Sequence, residues 1–278
     1  MEKISPFRKA WYKFVLNPFS SLIRKDKPSQ HYLLDFALKE QAKDFYNEVF
    51  IRRYLHIESS IAIIKKFLPV RSPNDVIIDV GGGIGSTAIL FANGFPENTV
   101  YAFEPLNQNR QEIESNTSSF KNIRVIPKAL GPENKQQKLI IGKNPRVSSF
   151  LKFSPDYASE YFTDNLETVD EQLTEVTRLD DFLPAEKKIL IMKIDVQGFE
   201  IEVLKGASRC LQQTSLIVLE LNNHDYYAGA PKYYDVDNYL RSVNFHLFDL
   251  LPSTRDQLKL KEWDAIYVNN NFEYTGGK

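Results

Sequence analysis

DVGGGIGS, residues 79–86, lies between the apolar run Val76-Ile77-Ile78 and the segment TAILFANG, residues 87–94. Four of its eight residues are glycine. Glycine inside a helix or strand costs roughly 0.5–1 kcal/mol relative to alanine, so the stretch suits the interior of neither. It reads as a turn. DVIIDV, residues 75–80, leads into it as a short buried strand, and IGSTAILFANG, residues 84–94, leaves it as a helix closed by Gly94.

The same alternation continues outward. TVYAFE (99–104) reads as a strand, LNQNRQEIESNTS (106–118) as a helix and NIRVIPKAL (122–130) as a strand. KKILIMKID (187–195), FEIEVLKGASRCL (199–211) and SLIVLELN (215–222) give strand, helix and strand again. A helix DVDNYLRSV (235–243) and strands FHLFDLL (245–251) and WDAIYVNN (263–270) follow. This spacing predicts an α/β fold whose parallel sheet is covered on both faces. Between residues 131 and 188 the rhythm breaks, and QKLIIG (137–142), RVSSFLKF (146–153) and LTEVTRL (173–179) read as short strands of an insertion. Insertions at loop ends are where substrate selection usually sits.

The glycines therefore join the first strand of the sheet to its helix. Ligands of open α/β sheets bind outside the carboxyl ends of the strands. Glycine lets a ligand approach the backbone there, and the next helix offers unpaired N–H groups. A nucleotide site is the first expectation. The dinucleotide fingerprint G-x-G-x-x-G fails at Ser86. Asp79, Gly81, Gly83 and Gly85 instead fit the D-x-G-x-G-x-G spacing of S-adenosylmethionine sites. That cofactor has no pyrophosphate; it has a cationic amino-acid end, which an acid or loop carbonyls can hold. Glu104 ends the second strand, 19 residues past Gly85. An acid there can accept from both ribose hydroxyls, in a nicotinamide enzyme as well as here.

The remaining composition sets bounds. The chain has 278 residues, 42% hydrophobic and 26% charged, with a formal net charge of -1. This is an ordinary globular balance with no nucleic-acid signal. Cys210 is the single cysteine, so no intrachain disulfide and no cysteine-based zinc spacing exist. A cytoplasmic setting is expected. Residues 1–30 differ, with seven Lys or Arg against two acids and Ile4, Phe7, Trp11, Phe14, Val15 and Leu22 near helical spacing. They read as a cap docked on the core or as a helix lying on a membrane surface. Residues 32–55 and 57–68 read as two helices, the second ended by Pro69. The expected division is a helical extension over 1–56 and one domain over 57–278.

A second informative stretch is LIMKIDVQGFEIEVLKGA, residues 190–207, a buried strand ending at Asp195 and a helix opening after Gly198. Here the sequence resembles the FkbM-type S-adenosylmethionine-dependent methyltransferases. The resemblance covers about residues 57–270 and rests on IIDVGGGIGS, YAFEPLNQN, IRVIPKALG, VSSF, TRLDDFL, MKIDVQGFEIEVLKGA and LIVLELN, in that order. It implies a class I methyltransferase fold, Rossmann-like, with seven mostly parallel strands and the last inserted antiparallel. It also implies methyl transfer, commonly to a hydroxyl of a sugar or natural product. It adds Ala129, in IRVIPKALG, to the cofactor residues. Four positions depart from the family pattern. Gly82 and Gly83 replace an Ala-Asn pair, Gln197 stands where glutamate is usual, and Asn244 stands where glycine is usual.

An alcohol keeps its proton at neutral pH, so methyl transfer to oxygen needs a base or a metal. Asp195 is a candidate for contact with the cofactor's reacting end or for the base, and His224, in LELNNHDYY, is the other candidate base. Asp195 also fits helix capping. Asp195 with Glu220 or Asn222 offers oxygen ligands for Mg²⁺. Tyr226, Tyr227, Tyr233 and Tyr234 are candidates to stack on a sugar ring or to cover the core. His31, His56, His246 and Cys210 read as structural. Two competing readings are a nicotinamide-dependent oxidoreductase and a non-catalytic binding protein on the same fold, held to a membrane or glycan assembly by the N-terminus.

Overall fold

The computed structural model describes residues 48–68, 71–154, 167–223, 225–256 and 259–271, with backbone alone for 48–55, 251–256 and 259. Residues 1–30 and His31 lie outside the described residues. The chain divides at Tyr46/Asn47, and every described residue belongs to the second unit.

Among the described residues, ten strands form two sheets. The larger contains β1 (Val76–Val80), β2 (Thr99–Phe103), β3 (Ile123–Ile126), β7 (Ile189–Ile194), β8 (Thr214–Asn222), β9 (Phe245–Asp256) and β10 (Lys259–Asn269). Its order is β3-β2-β1-β7-β8-β10-β9. The pairs from β3 to β8 are parallel, and β10 runs antiparallel between β8 and β9. The smaller sheet joins β4 (Ala129–Leu130) to two strands of the insertion, β6 (Thr168–Thr177) and β5 (Lys135–Gly142), in that order. The helices are α1 (Glu48–Phe67), α2 (Ser86–Gly94), α3 (Asn107–Thr117), α4 (Leu179–Phe182), α5 (Glu200–Lys205), α6 (Ser208–Gln212) and α7 (Tyr233–Ser242). None of the described helices is long and apolar enough to cross a membrane.

Every residue of β1 and β7 is buried. A parallel strand loses solvent on both faces because its crossover helices return over the sheet. On one face Ile78, Val80, Met192, Ile194 and Leu219 meet Val203 and Leu204 of α5 and Leu240 of α7 in one core. On the other, α1 packs on α2 and on β7 to β10. Gly94 lets α1 come close, since a Cβ there would lie 3.0 Å from Ile61.

Four local expectations change. A break at His56 does not occur, because α1 runs through it, so the expected boundary at 56/57 falls inside a helix. His56, Ile57, Ser60 and Ile64 form one buried stripe along it. NIRVIPKAL is two strands in two sheets. Pro127 between them has no N–H for a ladder and ends the first. RVSSFLKF is a 3-10 turn, Pro145–Val147, followed by single bridges from Ser149 to Ile140 and from Phe153 to Tyr227. FEIEVLKGASRCL is two short helices, α5 and α6. They part at Gly206, where a Cβ would lie 1.8 Å from the Gly131 carbonyl oxygen.

Candidate functional site

The strand order reverses between β1 and β7, so a crevice opens at their carboxyl ends. The glycine turn leaves β1 into this crevice. Gly81 and Gly82 both donate their N–H to the Phe103 carbonyl at 3.0 Å, which pins the turn to the end of β2. Gly81 has φ +79°, and a Cβ on it would lie 1.9 Å from the Asp195 backbone oxygen. No L side chain fits there. Gly83 has φ +53°, and a Cβ on it would meet nothing within 4 Å.

The cleft has a volume of about 200 Å³. Gly81, Gly83, Glu104, Ala129 and Asp195 line it, whereas Asp79 and Gly85 do not. Gly85 instead begins α2, with its Cα against Ile113 and Thr117 of α3. Asp79 sits beneath the turn, fully buried. Lys193 is its register partner on β7. The Lys193 ammonium lies 3.7 Å from Asp79 and 3.3 Å from Asp195, with the Gly81 carbonyl oxygen at 3.4 Å. Asp79 thus faces the cleft only through Lys193. Burial raises its pKa to about 6, against the pull of Lys193.

Glu104 is 4% exposed. Its Oε2 accepts from Gly83 N–H at 2.8 Å and its Oε1 from Leu106 N–H at 2.9 Å. Burial raises its pKa to about 7, with both N–H groups opposing. A carboxylate has about four acceptor positions, and the Asn109 side chain also hydrogen-bonds this one. Beside it Leu106, Ala129, Leu130 and Leu139 make an apolar wall. A vicinal diol on the acid and a flat ring on the wall fit this end.

At the other end stands Asp195. Its Oδ1 accepts from Gln197 Nε2 at 2.8 Å. Tyr227, which is buried, donates its hydroxyl to Gln197 Oε1 at 2.8 Å, so its ring belongs to the core and is closed to a sugar. Tyr233 and Tyr234 are 40% and 50% exposed, packed edge-on to each other away from the cleft lining. Ser148, Ser149 and Arg146 line the cleft, and the Ser148 hydroxyl is buried without a hydrogen-bond partner. Among the described residues no group of three His, Cys, Asp or Glu comes together to hold a metal ion. His224 lies outside the described residues. His56 is buried with its pKa lowered to about 4 by burial, and Cys210 is buried with its thiol pushed up to about 12.

Lys193 was not legible as a site residue from turn motifs, yet a signal existed. A lysine amid Leu190, Ile191, Met192 and Ile194, in a strand that must be buried on both faces, needs an acidic partner.

The family model described as Methyltransferase FkbM domain matches residues 79–247. Methyltransferase 1 of Beauveria bassiana is 28% identical over 169 residues, 54% of this chain and 66% of that protein. Hexuronic acid methyltransferase AglP of Haloferax volcanii is 25% identical over 162 residues, 58% of this chain and 61% of that protein. The chain therefore spans less than two thirds of the length of these two relatives. The 2-O-methyltransferase NoeI of Sinorhizobium fredii is 25% identical over 209 residues, 70% of this chain and 79% of that protein. The family match starts at Asp79 and encloses the glycine turn, Glu104, Lys193, Asp195 and Gln197, and with these residues the chain belongs to the FkbM methyltransferase domain family.

Proposed function

We propose that the chain binds S-adenosylmethionine in this cleft and transfers its methyl group to a hydroxyl of a sugar, glycan or natural product. The observation that carries the reading is Glu104, a buried carboxylate at the end of β2, held by Gly83 N–H on the rim of a cleft that Asp195 closes from β7. The bound cofactor would supply an electrophilic methyl group on a cationic sulfur. Glu104 holds the ribose hydroxyls, and Leu106, Ala129 and Leu130 wall the adenine. Asp195 and the Gly81–Gly83 turn hold the cationic amino-acid end, with Asp79 acting through Lys193. The open space beside Gly83 fits a ligand passing close to the backbone. The chain's part in catalysis is alignment and exclusion of water. Asp195 and His224 are the groups proposed to take the acceptor's proton.

The names of two relatives support this acceptor class, one a hexuronic acid methyltransferase and one a 2-O-methyltransferase. The insertion, 131–188, is the proposed acceptor side, and residues 1–30 are a proposed membrane contact. The test is calorimetric titration with S-adenosylhomocysteine, with NAD as control, followed by labelled methyl transfer to uronic acids and neutral sugars. Micromolar binding of S-adenosylhomocysteine alone and labelling of a sugar are expected. No binding by the folded protein would overturn the cofactor. Binding without transfer to any acceptor would favour a non-catalytic cofactor-binding protein.

A further inference from the structure

Among the described residues, Gln197 and Asn244 are the non-glycine residues with positive φ, and Gln197 lies at +55°. Gly198 follows at +95°. Side chains other than glycine and asparagine avoid this backbone region, and such strain gathers at functional sites. Here it aims the Gln197 side chain back along the cleft at Asp195.

The carboxamide has one orientation that works. Its Nε2 donates to Asp195 Oδ1 at 2.8 Å, while Lys193 faces Oδ2 at 3.3 Å, so both carboxylate oxygens are held. Flipping the amide would set two acceptor oxygens against each other at that distance. Its Oε1 then accepts from the Tyr227 hydroxyl. Tyr227 has one proton and two acceptors, Gln197 Oε1 at 2.8 Å and the Val147 carbonyl oxygen at 2.9 Å. The Gln197 carbonyl oxygen also accepts from Ser149 Oγ at 2.7 Å. Ser149 thus joins the main chain of residue 197 directly to the stretch that walls the cleft, while the Tyr227 proton goes either to Gln197 Oε1 or to Val147.

We infer that Gln197 is a positioning residue: its carboxamide fixes the Asp195 carboxylate toward the cofactor, while its main-chain carbonyl holds the turn to the insertion wall through Ser149. This rests on the cofactor reading proposed above. Asp79, Glu200 and Tyr227 act electrostatically with Asp195, Lys193 pairs with it, and Glu220 and Glu262 act on Tyr227. All of these groups stay in the variants that follow.

Gln197→Gly removes the carboxamide and relieves the positive φ, so it should fold. Gln197→Glu keeps the length but, once ionised, replaces the donor by a second carboxylate. A shared proton restores the donor at low pH. The full chain and both variants are titrated with S-adenosylhomocysteine at pH 6 and pH 8, and amide exchange at residues 147–151 is followed without ligand. Gln197→Gly should bind about 10-fold more weakly at both pH values and leave exchange at 147–151 unchanged, since Ser149 keeps its main-chain acceptor at 197. Gln197→Glu should bind within about threefold of wild type at pH 6 and about 10-fold more weakly at pH 8. Wild-type affinity of Gln197→Gly, or equal affinity of Gln197→Glu at both pH values, overturns the inference alone. Failure of the unaltered chain to bind overturns the cofactor reading and this inference with it.

Discussion

The Asp195 backbone oxygen occupies the place where a side chain on Gly81 would begin, 1.9 Å from an ideal Cβ. This contact locks the turn after β1 to the end of β7, and so sets the floor of the cleft. Gly81→Ala should therefore lower stability by about 3 kcal/mol or more, from overpacking and left-handed strain together. Gly83→Ala meets open space and carries only the backbone cost, about 1–2 kcal/mol. Urea unfolding of both variants checks the ranking. The alanine at 83 should instead show its main effect as weaker S-adenosylhomocysteine binding.

Glu104→Ala removes the acceptor of the Gly83 and Leu106 N–H groups and the proposed ribose ligand. Hydrogen bonds to a charged group contribute about 1.5–3 kcal/mol, so the affinity for S-adenosylhomocysteine should fall roughly 10- to 100-fold. Calorimetry reads this directly, and an unchanged Kd would remove Glu104 from the site.

Lys193→Met strips the ammonium from between Asp79 and Asp195 while keeping the bulk of the side chain. Breaking a buried pair leaves an uncompensated charge, which costs about 3 kcal/mol. Asp79 already has a pKa raised to about 6, and losing Lys193 raises it further. The loss of stability should be smaller at pH 5, where Asp79 takes up its proton, than at pH 8. Adding Asp79→Asn should recover most of it at pH 8, as a double-mutant cycle in urea would measure.

Glu200 is 4% exposed, and its pKa is raised from 4.5 to about 7 by burial. Its folded pKa exceeds its unfolded one. The stability it contributes is therefore full below about pH 4.5 and lost as pH rises through about 7. Glu200→Gln keeps an acceptor for the Gly198 N–H and cannot ionise. The variant should gain on wild type between pH 4.5 and 7, by on the order of 3 kcal/mol at pH 8. Equal urea midpoints at pH 8 would contradict this.

The strand–turn–helix units around Gly81 and Asp195 were readable because a buried parallel strand and its helix each write a local pattern, a short apolar run or an apolar stripe. The positions of Glu104 and Asp195 followed, since a residue that ends such a strand must lie at the sheet's carboxyl edge. The break at Gly206 was not readable, because its cause is the Gly131 carbonyl, 75 residues away in sequence. The opposite error at His56 has the same origin, since the sheet beneath α1 carries the helix through a point where the local pattern suggested a pause.

The sequence by itself determined the α/β alternation, the turn that must be glycine and the acids at the strand ends. Each depends on one residue's own backbone freedom or on its neighbours within a few positions. Tertiary structure alone decided that Asp79 lies beneath the cleft against Lys193, that Tyr227 is a core donor, and that Gln197 meets Asp195 through its side chain and the insertion through its main chain. Those facts depend on which strands pair and in what register. Pairing is settled by burial summed over the whole sheet, and no local window contains that sum.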